Sequence, residues 1–268
     1  MSSVSPPGPV TADGLIVAVN QVRSVEGRAA RAWPETTHYM LDGWRLRHSP
    51  GIANRRANSV LPLWYSGDGQ IDAAIDTVEA FYRDRKSPSR FMISPASDPP
   101  DLDQILDVRG YHIDAPTDVQ WARGNDVIEA TDAAIETKVM DRPDLNWMSV
   151  YMEGTTDRAE IATKHNLIGR IGGRKAAVRI DVEGRAVSVG LGVFDDGWTG
   201  VFCMHTLIAH RRQGYGRAVL GALSRWGVDQ GGEDLYLQVE RDNPVARSFY
   251  ERSGFATKYG YYYRTRKV

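Results

Sequence analysis

The stretch Thr206-Leu-Ile-Ala-His-Arg-Arg-Gln-Gly-Tyr-Gly-Arg217 decides the fold. It follows a β-type run, residues 200–208, and precedes apolar residues that recur at helical spacing over residues 218–226. The sequence therefore predicts a strand, a glycine-containing turn and the N-terminus of a helix. Gly214 and Gly216 have no Cβ, so the backbone can adopt positive φ and an anion can approach consecutive amides.

The charge of this turn favours a phosphate ligand. The first amides of a helix have no partner within the helix and lie at the positive end of its dipole. Arg211, Arg212 and Arg217 add formal charge at the same place. These features predict a pyrophosphate site, although a short glycine motif alone is also compatible with a purely structural turn.

The residues downstream extend the pattern. Leu235 to Glu240 reads as a buried strand, followed by a short helix that Gly254 ends. The pattern Arg211-x-x-Gly214-x-Gly216, joined to Asn243-x-x-Ala246-x-x-x-Tyr250-Glu-x-x-Gly254-Phe255, resembles the acyl-CoA-binding half of the GNAT acetyltransferase superfamily. The resemblance covers roughly residues 176–265.

The resemblance implies acetyl-CoA as co-substrate and an opening between two parallel strands for its pantetheine arm. Met204 would lie near the acyl carbonyl, and Tyr250 would be the general acid whose hydroxyl faces the sulfur. Helix packing is the alternative role for Tyr250. The implied cofactor-binding residues are Met204, His205, Thr206, Arg211, Arg212, Gln213, Gly214, Tyr215, Gly216, Arg217, Asn243 and Tyr250.

The sequence leaves the identity of the general base open. Gln238 stands where some relatives have a glutamate. His205, Glu240, and Glu153 acting through a water are candidates, as is attack by an already neutral amine without a dedicated base. Strand alternation turns His205 away from Met204 and Thr206, so a structural role for this histidine is the alternative.

The acceptor is predicted to be a small-molecule or amino-acid-like amine. Trp147, Tyr151 and Glu153 are candidates for the acceptor wall, with core packing as the alternative for the two aromatic residues. Arg55 or Arg56 could hold a substrate carboxylate, or could belong to a solvated basic hairpin. Acetylation of a protein or peptide amine, and a non-catalytic acyl-CoA sensor, are the competing functions.

Composition restricts the class of protein. The 268 residues include 33 Lys and Arg against 34 Asp and Glu. The chain therefore lacks the excess of basic residues that would predict a nucleic-acid partner. Cys203 is the only cysteine, which excludes an internal disulfide and a cysteine zinc cluster; we expect a buried, inert thiol and no metal site. No membrane-spanning run or signal peptide is evident, which predicts a cytoplasmic location. We expect a monomer or a homodimer.

The fold class is predicted to be α/β (α+β), with two GNAT-like domains, each a mixed, mostly antiparallel sheet flanked by helices. The pattern predicts a strand over Thr37–Arg47, in which Trp44 and Leu46 alternate with polar residues, and a helix over Ile71–Arg85. It also predicts an antiparallel strand pair that turns through Glu183 and Gly184. Residues 102–111 echo residues 246–255, since both end in glycine plus an aromatic residue before a terminal strand. The first domain would lack the phosphate turn, because residues 66–70 contain no arginine and carry Asp68. The predicted boundaries are a disordered N-terminus at 1–14, a degenerate domain at 15–123, a linker at 124–142 and a catalytic domain at 143–268.

Overall fold

The computed structural model describes residues 18–52, 54–131 and 133–267, and its contacts divide the chain into two units. The first unit runs to Val119 and also takes in Glu240–Asp242 and the residues from Thr257 onward. The second unit comprises Gln120–Val239 and Asn243–Ala256. The predicted disordered segment 1–14 lies outside the described residues.

The elements follow one another in the order α, β, β, β, α, β, α, β in the first part of the chain. They are α1 (Val19–Ala32), β1 (Thr37–Leu41), β2 (Trp44–His48), β3 (Val60–Leu61), α2 (Ile71–Asp84), β4 (Ser89–Ile93), α3 (Leu102–Val108) and β5 (His112–Arg123). The remainder are α4 (Gly124–Ala130), β6 (Lys138–Met140), α5 (Leu145–Tyr151), α6 (Arg158–Gly169), β7 (Arg174–Val182), β8 (Arg185–Asp195), β9 (Trp198–Thr206), α7 (Tyr215–Asp229), β10 (Asp234–Glu240), α8 (Pro244–Arg252) and β11 (Ala256–Arg266).

In the first unit the strand order is β1-β2-β3-β4-β11-β5. β3 and β4 pair in parallel, whereas β1–β2, β2–β3 and β4–β11 are antiparallel. One face of this sheet packs against α2 and α3 through a cluster that includes Trp44, Ile75, Phe91 and Tyr111. Burial of these apolar side chains is the main stabilising contribution in this unit.

The segment from Thr37 to Arg47, predicted as a single strand, is instead a hairpin of β1 and β2. The chain turns at Asp42 and Gly43, which have φ angles of 47° and 91°. Two consecutive residues with positive φ are typical of the tight hairpin turns that Asp-Gly favours. The Asp-Gly pair was therefore a turn signal that the alternation of Trp44 and Leu46 obscured.

The second unit has the strand order β10-β9-β8-β7-β6. β9 and β10 are parallel, and the other neighbours are antiparallel. The long β7–β8 hairpin turns at Glu183 and Gly184, as predicted, with φ angles of 50° and 78°. α7 packs on β7, β8 and β9 and contributes Val219, Leu220 and Leu223 to the core. This packing holds the start of α7 beside the end of β9.

The predicted internal echo is present in the structure. α3 is followed by Gly110, Tyr111 and β5, and α8 by Gly254, Phe255 and β11. Both glycines have positive φ, 81° and 91°, as expected where a helix ends and the chain reverses.

The division into units differs from the predicted boundaries in two places. Residues 124–142, predicted to be a linker, contain α4 and β6 of the second unit. The final strand β11, predicted to belong to the catalytic domain, lies almost entirely in the first unit beside β4. The predicted mixed α/β class is confirmed. Across the described residues, no helix combines the length and apolar character that crossing a bilayer requires.

Candidate active site

The two parallel strands of the second unit separate along their length. β9 and β10 pair only where residues 198–200 meet residues 234–236. Beyond Gly200 and Tyr236 they are no longer in register, so the facing backbone edge of β9 as far as Thr206 is left without a β10 partner. An extended chain can add to such an open strand edge through main-chain hydrogen bonds.

A β-bulge interrupts β9 within this opening. Val189 faces His205 and Leu191 faces Phe202, so Gly190 on β8 is opposed by both Cys203 and Met204. Cys203 has a φ of 53°, the left-handed conformation of a bulged residue. The bulge removes one residue from the β8–β9 hydrogen-bond ladder and changes the direction of the backbone groups near Met204. Gly190 makes room for it, because a Cβ there would lie 2.6 Å from the Met204 sulfur.

The predicted phosphate turn connects β9 to α7. A 3₁₀ turn, Ile208–His210, leads to Gly214, the N-cap of α7, whose φ of 84° and ψ of −7° are left-handed. The first helical hydrogen bond runs from the Ala218 amide to the Gly214 carbonyl. The preceding amides, those of residues 215–217, are the ones that an α-helix leaves without intrahelical partners.

The three arginines of the turn differ in their contacts. Arg211 Nε donates to the Thr206 carbonyl at 3.1 Å, and Arg217 Nη2 donates to the Ala130 carbonyl at 2.8 Å. Arg212 has a φ of 64°. All three side chains are exposed, as is Gln213, so the turn presents positive charge to solvent.

On the opposite face of β9 from Met204, His205 forms a hydrogen bond with Glu153. The His205 Nε2 and Glu153 Oε2 atoms are 2.8 Å apart, and Glu153 also accepts the Ile208 amide at 3.2 Å. The hydrogen bond from His205 lowers the pKa of the Glu153 carboxyl below its ordinary value, and the Ile208 amide and the charge of Arg211 act in the same direction. With its Nε2 proton directed at the carboxylate, His205 keeps Nδ1 as the proton-accepting nitrogen.

Tyr250 lies on α8 in an aromatic environment. Its ring centroid is 5.1 Å from that of Phe249 and 5.9 Å from that of Phe255. Burial raises the pKa of the Tyr250 hydroxyl well above that of free tyrosine, and the neighbouring Cys203 adds to this effect. The phenol therefore keeps its proton at neutral pH, close to the bulge of β9.

Asn243 begins α8 as its N-cap, and its side-chain oxygen accepts the Ala246 amide at 3.0 Å. That oxygen is engaged in capping, which leaves the Asn243 side-chain amide nitrogen as the group for a ligand.

Trp147, predicted as a wall of the acceptor pocket, is a core residue. Its side chain is fully buried, and its indole N–H donates to the Val178 carbonyl at 3.0 Å and to the Gly190 carbonyl at 3.3 Å. Tyr151, one helical turn later, is only partly buried, with its ring 5.4 Å from the Trp147 ring. Trp147 therefore packs against the Tyr151 ring within the core and does not line a pocket.

Three of the predicted residues lie in the first unit. Arg55 binds both carboxylate oxygens of Asp114, at 2.8 and 3.1 Å, and lies 3.6 Å from Glu240. Arg56 forms a hydrogen bond with Tyr261. Arg55 and Glu240 are therefore already paired with opposite charges of the same chain, which weakens their predicted roles as a carboxylate ligand and a base.

Sequence reasoning missed three features of the site. Cys203, expected to be buried, is half-buried at the bulge, and Gly190 opposes it. The fully buried Ser188 shares a hydrogen bond of 2.8 Å with the Thr206 hydroxyl. A lone glycine in an alternating strand can mark a bulge or a close approach, which was the available signal for Gly190.

In the described ranges no group of three or more His, Cys, Asp or Glu side chains is arranged to hold a metal ion.

Known proteins share the fold of this chain. The fold matches a GCN5-related N-acetyltransferase from Kribbella flavida with a TM-score of 0.68 at 13% identity, over 91% of this chain and 95% of that one. It also matches a tandem GNAT protein from the clavulanic acid biosynthesis pathway with a TM-score of 0.67 at 12% identity, over 91% of this chain and 87% of that one. The chain therefore has the fold of GNAT proteins, including a tandem one, and the family to which it belongs is one of acetyltransferases.

The chain belongs to the family described as probable histone acetyltransferase Rv0428c C-terminal, whose model matches residues 19–264. It is 28% identical over 258 residues to the uncharacterized N-acetyltransferase YobR of Bacillus subtilis, covering 93% of this chain and all of that protein. It is 26% identical over 230 residues to the probable histone acetyltransferase Rv0428c of Mycobacterium tuberculosis, covering 81% of this chain and 66% of that protein.

Proposed function

We propose that the protein transfers the acetyl group of acetyl-CoA to the primary amine of a small-molecule or amino-acid-like acceptor, by direct attack in a ternary complex. One observation carries the proposal: the edge of β9 that β10 leaves open leads directly to a helix N-terminus with a left-handed glycine. An extended pantetheine arm and a pyrophosphate require these two features in this order.

The turn residues suit a pyrophosphate. Gly214 has an open approach, since a Cβ there would meet only Ile135 at 3.5 Å, an ordinary contact. The amides of residues 215–217 would donate to phosphate oxygens, and Arg212 and Gln213 are exposed beside them. Met204 and Thr206 would supply backbone groups for the pantetheine amides.

The chemistry of transfer can be assigned to residues of the second unit. The Met204 amide at the bulge would donate to the thioester carbonyl as negative charge develops there. Formation of the N–C bond breaks the C–S bond, and the Tyr250 hydroxyl would supply a proton to the departing sulfur. The amine proton would pass to Nδ1 of His205, whose imidazolium form Glu153 stabilises. Acetyl-CoA supplies the activated acetyl group.

The acceptor side has features that suit a cationic amine. Glu153 offers a carboxylate and Tyr151 a partly buried ring, within reach of a substrate that approaches His205. A small amine would be oriented by these groups alone. The second candidate acceptor is a protein or peptide amine. The family description names a histone acetyltransferase, which favours this candidate. Parallel assays with free amines and with lysine-containing peptides would separate these two acceptors.

The experiment that tests the proposal is calorimetric titration of acetyl-CoA and desulfo-CoA into the wild type and into Gly214→Glu. We expect about one equivalent to bind the wild type and no binding to the variant. The new side chain would strain the left-handed turn and repel the pyrophosphate.

Gly231→Glu is the matched control. Gly231 also has positive φ, 90°, at the other end of α7, and a Cβ there meets nothing within 4 Å. If this variant also lost CoA binding, the effect would reflect general damage to the fold. A wild type that binds neither compound would contradict the proposed function.

A further inference from the structure

A cleft of about 610 Å³ lies in the second unit at the C-terminal end of α7. Its walls come from the loop before α5, the end of α6, the start of β7 and the end of α7. The 15 residues of α7 separate it from the glycine turn by about 22 Å along the helix axis. The cleft is thus distinct from the proposed acetyl-transfer site, and the inference drawn from it does not depend on that proposal.

The formal charges that line the cleft do not balance. Arg142, Arg174 and Lys175 oppose a single carboxylate, Asp141, which leaves a net charge of +2 with neutral histidine. Arg174 donates to the Gln230 backbone and side-chain oxygens at 3.4 and 3.2 Å. Lys175 donates to the Ile171 carbonyl at 2.6 Å. These acceptors are neutral, so the hydrogen bonds do not cancel the excess charge.

The C-termini of two helices neutralise part of this positive charge. α6 and α7 both end at the cleft, and a helix C-terminus carries a partial negative charge of about one half. Arg174 and Lys175 therefore offset these two ends to some degree. About one positive charge is left over. Arg142 contributes it from the loop before α5, where its side chain is exposed.

Part of the lining of the cleft is apolar. Ile168 is buried there and Trp226 is half-buried. The volume falls within the range of metabolite pockets, which combine an apolar lining with a few polar groups that fix orientation. A ligand that satisfies both parts of the lining must carry an anionic group and an apolar portion.

We propose that this cleft binds a small organic anion. Its carboxylate or phosphate group contacts Arg142, Arg174 and Lys175, and its apolar portion packs on Trp226 and Ile168. Carboxylate and phosphate share the charge and the acceptor geometry that arginine recognises.

The test is calorimetric titration of benzoate and of phenyl phosphate into the full chain at low ionic strength. We expect at least one of these probes to bind the wild type at one site, and the one that binds identifies the preferred anionic group. Arg142→Glu should weaken that binding at least tenfold, because it replaces an attractive charge by a repulsive one.

Arg158→Glu is the matched control. It makes the same charge change at an exposed position at the first residue of α6, the helix end remote from the cleft, and should leave the affinity within twofold. The proposal is overturned if neither probe binds, if both arginine variants weaken binding equally, or if Arg142→Glu has no effect. It is also overturned if Gly214→Glu abolishes binding of the probe, since the probe would then occupy the glycine turn.

Discussion

His205 and Glu153, which are 52 residues apart in the chain, are joined by a hydrogen bond of 2.8 Å between Nε2 and Oε2. The carboxylate also holds the Ile208 amide, so Glu153 ties the end of β9 to the start of the glycine turn. The pair fixes the orientation of the imidazole and stabilises its charged form. This arrangement is typical of a histidine that accepts a proton during a reaction.

Replacing His205 by alanine should lower the rate of acetyl transfer about 10²- to 10⁴-fold, the usual contribution of a general base. CoA affinity should change little, because the histidine side chain faces away from Met204 and Thr206. Thiol release from acetyl-CoA measures the rate, and calorimetry the affinity. His112→Ala, an exposed position on β5, is the control. An unchanged rate in His205→Ala would favour attack by an amine that needs no base.

Glu153→Gln should lower the free energy of unfolding by about 1 kcal/mol at pH 7, because the carboxylate that accepts hydrogen bonds from His205 and the Ile208 amide loses its charge. The pKa of Glu153 lies below its ordinary value of 4.5 in the folded protein, chiefly through its hydrogen bond with His205. Its stabilising effect is therefore complete above pH 4.5 and is lost as the pH falls through the folded pKa.

Denaturant unfolding at pH 7 and at pH 3.5 measures this difference. The gap between wild type and Glu153→Gln should shrink at the lower pH. A gap that stays the same on acidification would mean that Glu153 contributes through packing and not through its charge.

If Tyr250 is the proposed general acid, Tyr250→Phe should lower turnover about 100-fold or more while CoA affinity stays within a few fold, because only the proton-donating hydroxyl is lost. The rings of Phe249 and Phe255 would still pack against the new phenylalanine. Steady-state thiol release and calorimetry separate the two effects. Tyr39→Phe, at a tyrosine that is 53% exposed, is the control. Full turnover in Tyr250→Phe would exclude the phenol as the general acid.

Gly190→Ala should destabilise the second unit by about 1–3 kcal/mol, the usual cost of overpacking. The added methyl would lie 2.6 Å from the Met204 sulfur and 2.6 Å from Val219, so the bulge of β9 or the packing of α7 must shift. Gly172→Ala is the control, since a Cβ there meets nothing within 4 Å. Thermal unfolding compares the two variants, and equal stability would show that the bulge tolerates a side chain on β8.

Most helices and strands could be predicted because their signals are local. α2 was predicted to start at Ile71, and it does. Gly214 has the left-handed φ that a glycine in this turn suggests, and Asn243 caps α8. The errors arose where two local signals competed, as at Asp42 and Gly43, where alternation suggested one strand and the turn residues made two.

The sequence by itself determined the order of elements, the glycine turn before α7 and the charges around it, because each depends on residues within a few positions of one another. Tertiary structure decided the rest. The bulge at Cys203 depends on the register of β8, the burial of Trp147 on the carbonyls of Val178 and Gly190, and the His205–Glu153 pair on the packing of α5 against β9. These contacts join residues that are distant in sequence, so only the packed fold fixes them.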